Sequence, residues 1–114
     1  MNKADPYLNG ARWRRELCEG GGYVYCRWNA RIAPGGGVVR CMDIADVHIP
    51  DKLRGRGLFT AYLQECEALA GGDFDALYVE NVFNERLANF LHKRGYIAAV
   101  GSDAKAPSFF FLKT

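Results

Sequence analysis

The residues that most narrow the chemistry of this chain lie in one run, Ile49-Pro50-Asp51-Lys52-Leu53-Arg54-Gly55-Arg56-Gly57-Leu58-Phe59. Apolar and β-branched residues precede it. Phe59, Tyr62, Leu63, Cys66 and Ala70 follow at helical spacing. Two glycines at such a junction turn the chain and leave backbone N–H groups free at a helix N-terminus, an arrangement that binds phosphate. Arg54 and Arg56 add guanidinium groups that either reach that phosphate or stay solvated. Two common nucleotide loops are excluded. The dinucleotide pattern G-x-G-x-x-G needs a glycine where Thr60 stands, and the Gly-Lys-Ser/Thr of a Walker loop is absent.

The elements that must position this loop follow from patterning. The chain has 114 residues, 49% of them apolar, which fits one domain spanning 1–114 with a core that needs no staples. Residues 1–10 are polar and read as loosely ordered, or as a short helix started by Asp5-Pro6. Trp13 to Cys18, Tyr23 to Ile32 and Val38 to Ile49 read as three strands of an antiparallel meander, separated by glycine-rich turns. After the first helix, Gly71-Gly72 is a stop and Ala76 to Val82 is a strand. Asn84 then caps a second helix whose stripe is Leu87, Phe90 and Leu91, ended by Gly95. Tyr96 to Val100 and Ser108 to Leu112 are closing strands. The order β-β-β-α-β-α-β-β describes an α+β (mixed α/β) sandwich.

The net charge of +2 argues against a dedicated nucleic-acid partner. No apolar run is long enough for a membrane span, and Met1 to Pro6 lacks the apolar stretch of a signal peptide. Cys18, Cys26, Cys41 and Cys66 form no CxxC pair, so the expectation is no metal and free thiols in a reducing cytoplasm.

Arg54-x-x-Gly57, at the end of a long strand and opening a helix, resembles the acyl-CoA loop Gln/Arg-x-x-Gly-x-Gly/Ala of the GNAT-type N-acetyltransferases. Asn84-x-x-Leu87-x-x-Phe90-Leu91-x-Lys93-Arg94-Gly95-Tyr96 resembles the same family's Asn-x-x-Ala-x-x-Phe-Tyr-x-Lys-x-Gly-Phe helix. The two motifs lie in the family's order over residues 13–112, and small bacteriophage-encoded members are similar in length. The chain departs from the pattern at Phe59, where Gly or Ala is usual, and at Leu91, where many members carry the tyrosine that protonates the leaving thiolate. It also has little room for the N-terminal helices that wall the acceptor site. Phe59 must turn into the core, or the loop must open.

The resemblance implies a mostly antiparallel twisted sheet with one splayed parallel pair and two main helices packed on it. It implies acetyl-CoA as co-substrate, with its pyrophosphate on the backbone of Arg54, Gly55, Arg56, Gly57, Leu58 and Phe59. Backbone groups near Val47, His48 and Ile49 would pair with the pantetheine arm and polarise the thioester, and Asn84 often contacts the cofactor as well. The acceptor is then an amine, which must lose a proton before it attacks. Candidates on the two splayed strands are Asp43, Glu80, His48 and Asp46, with water as the remaining alternative. Asp43 lies where several members place a catalytic glutamate, while strand alternation places Asp46 and His48 on the opposite face. Each also has a structural reading: Asp43 as a paired buried acid, Glu80 paired with an arginine, Asp46 and His48 facing solvent. The arginines at 12, 14, 15, 27 and 31 form a basic face that is solvated or meets an acidic group. His92 reads as a surface histidine.

The leading expectation is acetyl transfer to an amine, with the short N-terminus favouring a protein lysine or chain terminus. The alternatives are a catalytically silent acyl-CoA-binding or inhibitory protein, favoured by Phe59 and Leu91, and an interaction module without cofactor. The exposed closing strands allow a homodimer.

Overall fold

The computed structural model describes Tyr7 and residues 10–113. The expectations for the first ten residues therefore lie outside the described residues, except at Tyr7 and Gly10. The strands are β1 (Arg12–Glu16), β2 (Tyr23–Ile32), β3 (Val38–His48), β4 (Ala76–Val79), β5 (Ile97–Ala98) and β6 (Phe109–Leu112). Helix α1 (Leu58–Leu69) joins β3 to β4, and helix α2 (Glu85–Lys93) joins β4 to β5. The six strands form one sheet in the order β1-β2-β3-β4-β6-β5. Every neighbouring pair is antiparallel except β3 and β4, which run parallel. The expected α+β class and element order are both present, with an open twisted sheet.

Some strands are shorter than their sequence pattern. β1 stops at Glu16 because Leu17 N–H closes a turn onto Gly22 O at 2.8 Å. β5 keeps only two residues, since Tyr96 is drawn into the core and Gly101 (φ 82°) turns the chain just after the exposed Val100.

Both helices pack on one face of the sheet. Val24, Cys26, Met42, Ile44, Leu77 and Val79 point to that side and meet Tyr62, Leu63 and Cys66 of α1 and Leu91 of α2. Leu63 and Leu91 are fully enclosed, and each stabilises the fold by roughly 1.5–3 kcal/mol through burial. The far ends of the helices are joined through Glu67, which accepts from Arg94 Nε at 3.1 Å and from Tyr96 OH at 2.8 Å. The opposite face of the sheet carries a smaller cluster of Cys41, Ala76 and Phe110.

The parallel pair is short. Cys41 to Ile44 lie beside Ala76 to Val79, and Glu80 N–H to Ile44 O at 3.0 Å extends the pairing by one bond. Two local features then part the strands. In β3, Ala45 is a bulge: Cys26 opposes Ile44, whereas Tyr25 opposes Asp46. After β4, Asn81 takes a left-handed conformation (φ 47°) that only a few non-glycine residues tolerate. It is held there because its N–H donates to Ser108 Oγ at 3.0 Å, and Val82 N–H donates to Pro107 O at 2.8 Å. Ser108→Ala leaves the Asn81 N–H without its acceptor. It should lower unfolding free energy by about 1–3 kcal/mol in urea melts; an unchanged midpoint would show that Ser108 does not hold the turn.

Candidate functional site

The parted strands border a cleft of about 330 Å³. Ala45, Asp46 and Val47 form one wall and Glu80 to Asn84 the other. At Val47, Asn84 and Leu87 the cleft runs into a second hollow of about 640 Å³, which reaches Arg54, Gly55, Phe59 and Thr60. The two together have the size of a small-molecule site.

The glycine turn forms the far end. Gly57 is the N-cap of α1 in the left-handed region (φ 72°, ψ 19°), with no side-chain cap and no acid in the first turn. The first backbone bond of that helix runs from Ala61 N–H to Gly57 O at 2.9 Å. The N–H groups of Leu58, Phe59 and Thr60 precede it and have no helical acceptor. Gly55 (φ 78°) is also left-handed. A Cβ at Gly55 or Gly57 would meet nothing within 4 Å, so glycine is required there for backbone conformation and not for space. Arg54 is pinned locally: its Nε donates to Ile49 O at 3.3 Å and its Nη1 pairs with Asp51 at 3.1 Å. Arg56 is exposed. Phe59 turns toward the core and is half-buried there, with part of its surface lining the hollow.

On the other side of the hollow stands α2. The Asn84 side-chain oxygen accepts from Arg86 N–H at 2.9 Å and Leu87 N–H at 3.2 Å, the cap its position implied. Of the expected stripe, only Leu91 is fully buried. Leu87 and Phe90 are partly buried and line the hollow. A tyrosine hydroxyl at position 91 would therefore sit in the apolar core and away from the hollow. His92 is exposed.

The acids and the histidine occupy places that strand alternation alone misjudged. Simple alternation put Asp46 and His48 on the face opposite Asp43. The Ala45 bulge consumes one residue and returns both to the side of Asp43, the face without helices. Arg27, Tyr25 and Tyr23 of β2 oppose Asp43, Asp46 and His48 in turn, and Tyr23 and Tyr25 touch at 5.2 Å between ring centroids. Asp46 is exposed beside the cleft. His48 is exposed, with its ring stacked on Tyr23 at 5.0 Å.

Asp43 is fully buried and saturated. Its Oδ1 takes Arg31 Nε at 3.1 Å, and its Oδ2 takes Arg31 Nη2 at 2.7 Å, Arg27 Nε at 3.1 Å and Asn29 Nδ2 at 3.3 Å. Glu80 lies on the same face. Arg27 Nη2 and, at 3.5 Å, Arg31 Nη2 both reach its Oε1. No bond falls on Oε2 among the described residues. Burial pushes the Glu80 carboxyl above its ordinary pKa. Arg27 and Arg31 oppose that rise, and the Asp43 charge adds to it. The Arg31 guanidinium also lies 3.7 Å above the Tyr78 ring, a cation–π contact. Arg27, Asn29, Arg31 and Tyr78 thus belong to the site, although the sequence offered the arginines only as members of a basic face. The usable signal was the period-2 spacing Arg27-x-Asn29-x-Arg31, which sets three donors on one side of a strand.

No family model matches the sequence, and no curated protein matches it. Solved structures do. A mutant AtaT toxin bound to the C-terminus of the antitoxin AtaR superposes with a TM-score of 0.59 at 19% identity, over 80% of this chain. The chain has a GNAT-like fold. The same toxin bound to the AtaR C-terminus and acetyl-CoA gives the same values, and the KacTA–DNA complex gives 0.58 at 18%. The chain spans 57% of the length of each of these neighbours.

Within this GNAT-like sheet, the cap at Asn84 secures one wall of the hollow. Asn84→Ala should cost about 1 kcal/mol in chemical denaturation, because two N–H groups at the start of α2 lose their acceptor. A loss below a few tenths would mean that the cap adds nothing to the wall.

Proposed function

We propose that this chain is an acetyltransferase that moves the acetyl group of acetyl-CoA onto an amine. The observation that carries this reading is one continuous groove. It begins at a glycine-turned helix N-terminus with no side-chain cap and ends at a glutamate with one carboxylate oxygen unbonded among the described residues. Its two ends are suited to a pyrophosphate and a reacting amine, and the unpaired edge of β3 lies between them. The acetyl-CoA held by one of the structural neighbours supports the same ligand here.

In this reading the N–H groups of residues 55–60 hold the pyrophosphate at the α1 N-terminus, without that of Arg54, which donates to Asp51 O at 3.2 Å. The pantetheine arm lies along Val47, His48 and Ile49 as an extended segment between the parted strands, and Asn84 and Phe59 border its path. A free N–H on the β3 edge polarises the thioester carbonyl and stabilises the oxyanion. Glu80 is the proton acceptor. The amine nitrogen attacks the carbonyl carbon, its proton passes to Glu80 directly or through water, and the C–S bond breaks to release the CoA thiolate. Asp43 does not serve this step, because every protein contact it makes is already an arginine or amide bond and it is closed to solvent. His48 is exposed with its ring stacked on Tyr23, and stands farther along β3 than the Glu80 end of the cleft. With Leu91 in the core, no tyrosine at that position donates to the thiolate. The thiolate is a good leaving group, and positioning supplies much of the acceleration. The sheet face bearing Glu80 carries no helix among the described residues, which suits an acceptor on a polypeptide, a lysine or a chain terminus.

CoA should raise the melting temperature of the wild-type chain, and Gly57→Trp should abolish that rise; equal shifts in both proteins would remove the loop assignment. Turnover of acetyl-CoA with an amine should decline as pH falls through the raised pKa of Glu80, where the base becomes protonated. Glu80→Gln should lower kcat on the order of 10²–10⁴-fold and flatten that acidic limb. Retained CoA binding with no turnover across diverse amines would instead assign a silent acyl-CoA-binding protein.

A further inference from the structure

Arg27 has a position that acetyl transfer does not by itself require. Its Nε donates to buried Asp43 at 3.1 Å, while its Nη2 donates to Glu80 Oε1. One planar guanidinium thus spans the parallel pair, joining a carboxylate of β3 to a carboxylate at the end of β4. Arg31 supports the arrangement from four residues farther along β2. It holds both oxygens of Asp43, and Tyr78 underlies its guanidinium. Asp43 is inaccessible, so it is the fixed end. Glu80, partly open to the cleft, is the end being aimed.

We propose that Arg27 is a positioning residue: by bridging Asp43 to Glu80 Oε1 it turns Oε2 toward the cleft, and together with Asp43 it sets the proton affinity of Glu80. This rests on the reading of Glu80 as the proton acceptor. The orientation follows from the fork geometry of arginine. Its N–H groups lie in fixed directions, so once Nε is anchored on Asp43 the direction of Nη2 is set, and with it the rotation of the Glu80 carboxylate. A lysine would supply the charge but not the two fixed directions. The proton affinity follows from the charges facing Glu80. Arg12 of β1 and Arg27 and Arg31 of β2 favour its anion. Asp43 of β3 opposes it, and Asp46 lies exposed across the cleft. On its own strand Tyr78 lies under the Arg31 guanidinium. The β6 side presents Phe109 and Ser108, and the start of α2 presents the uncharged Asn84. Removing Arg27 takes away an attraction for the anion. Removing the Asp43 charge removes a repulsion and leaves both arginines acting on Glu80 alone.

The two changes therefore move Glu80 in opposite directions, which a merely structural role does not predict. The test is a carboxyl-carbon NMR titration of the full chain labelled at glutamate, with the Glu80 signal assigned by its loss in Glu80→Gln. The midpoint should rise in Arg27→Gln and fall in Asp43→Asn. Arg27→Lys should titrate closer to wild type. With poly-lysine and acetyl-CoA as probes, Arg27→Gln and Arg27→Lys should both lose kcat, on the order of 10- to 100-fold, with KM for acetyl-CoA unchanged. An unmoved Glu80 midpoint in folded Arg27→Gln overturns the proposal, and that variant decides alone if Asp43→Asn does not fold. Opposite midpoint shifts in proteins that turn over no amine, wild type included, would sustain the electrostatic coupling and reject the acetyltransferase reading.

Discussion

The organisation of this molecule depends on a parallel strand pair that stops early. β3 and β4 share four residue pairs, and the bond from Glu80 N–H to Ile44 O is followed by none between them. A sheet that simply continued would fill the cleft with its own hydrogen bonds, each with a net gain of roughly 0.5–1.5 kcal/mol. The gap persists because both strands are diverted at the same level. The Ala45 bulge bends β3, and Asn81 takes the following chain away from β4 under the hold of Ser108 and Pro107. What remains is a strand edge inside a sheet, with backbone donors and acceptors free on one side. Such an edge is a template for an extended partner. The bulge also changes which residues look onto the open face, so one inserted residue both opens the cleft and returns Asp46 and His48 to the side of Glu80.

The electrostatics of that face follow from unequal burial. Asp43 is shut off from water, and a carboxylate there is tolerable only with its oxygens fully bonded, a condition met by Arg27, Arg31 and Asn29. Two arginines gathered around one acid leave a surplus positive charge, and Glu80 balances it from the next strand. Asp43 and Glu80 are alike in chemistry and separated in role by access. The closed acid fixes the arginines, and the open one is held through Oε1, with no bond on Oε2 among the described residues. Desolvation raises the pKa of Glu80 while the arginines limit the rise.

Much of the fold was legible because the sequence changes period cleanly. Alternation in β2 and β3 gives way to helical spacing from Phe59 to Cys66, and Asn84 and Gly95 bracket α2 with their own turn chemistry. The glycine loop was legible for a similar reason, since Gly55 and Gly57 both need the left-handed region. The bulge was not, because Ala45 carries no glycine or proline to mark it. A one-residue slip in register reverses every side chain beyond it. The arginine cluster was half-legible. The turn between β2 and β3 fixes the pairing of Ile32 with Val38, and counting back along both strands sets Arg27 opposite Asp43. The approach of Glu80 to the same guanidinium could not be counted in this way. It depends on the register of a parallel pair joined through a whole helix, and no turn fixes that register.

Two helix N-termini converge on the same hollow, and their difference decides where an anion would rest. Both α1 and α2 present a positive dipole end there, worth typically 0.3–1 kcal/mol each toward a negative group at exposed sites. At α2 that end is already answered: Asn84 takes two of its N–H groups and Glu85 sits in the first turn. At α1 it is not, since Gly57 brings no side chain and no acid follows. The C-terminal ends of the same helices are held together by Glu67, Arg94 and Tyr96, in contacts largely screened from solvent. The walls of the hollow are thus linked at the end remote from any ligand, and the unsatisfied charge is left at the near end of one of them. An anion bound at Gly57 would complete a set of contacts that the fold leaves open, whereas one bound at Asn84 would have to displace a cap.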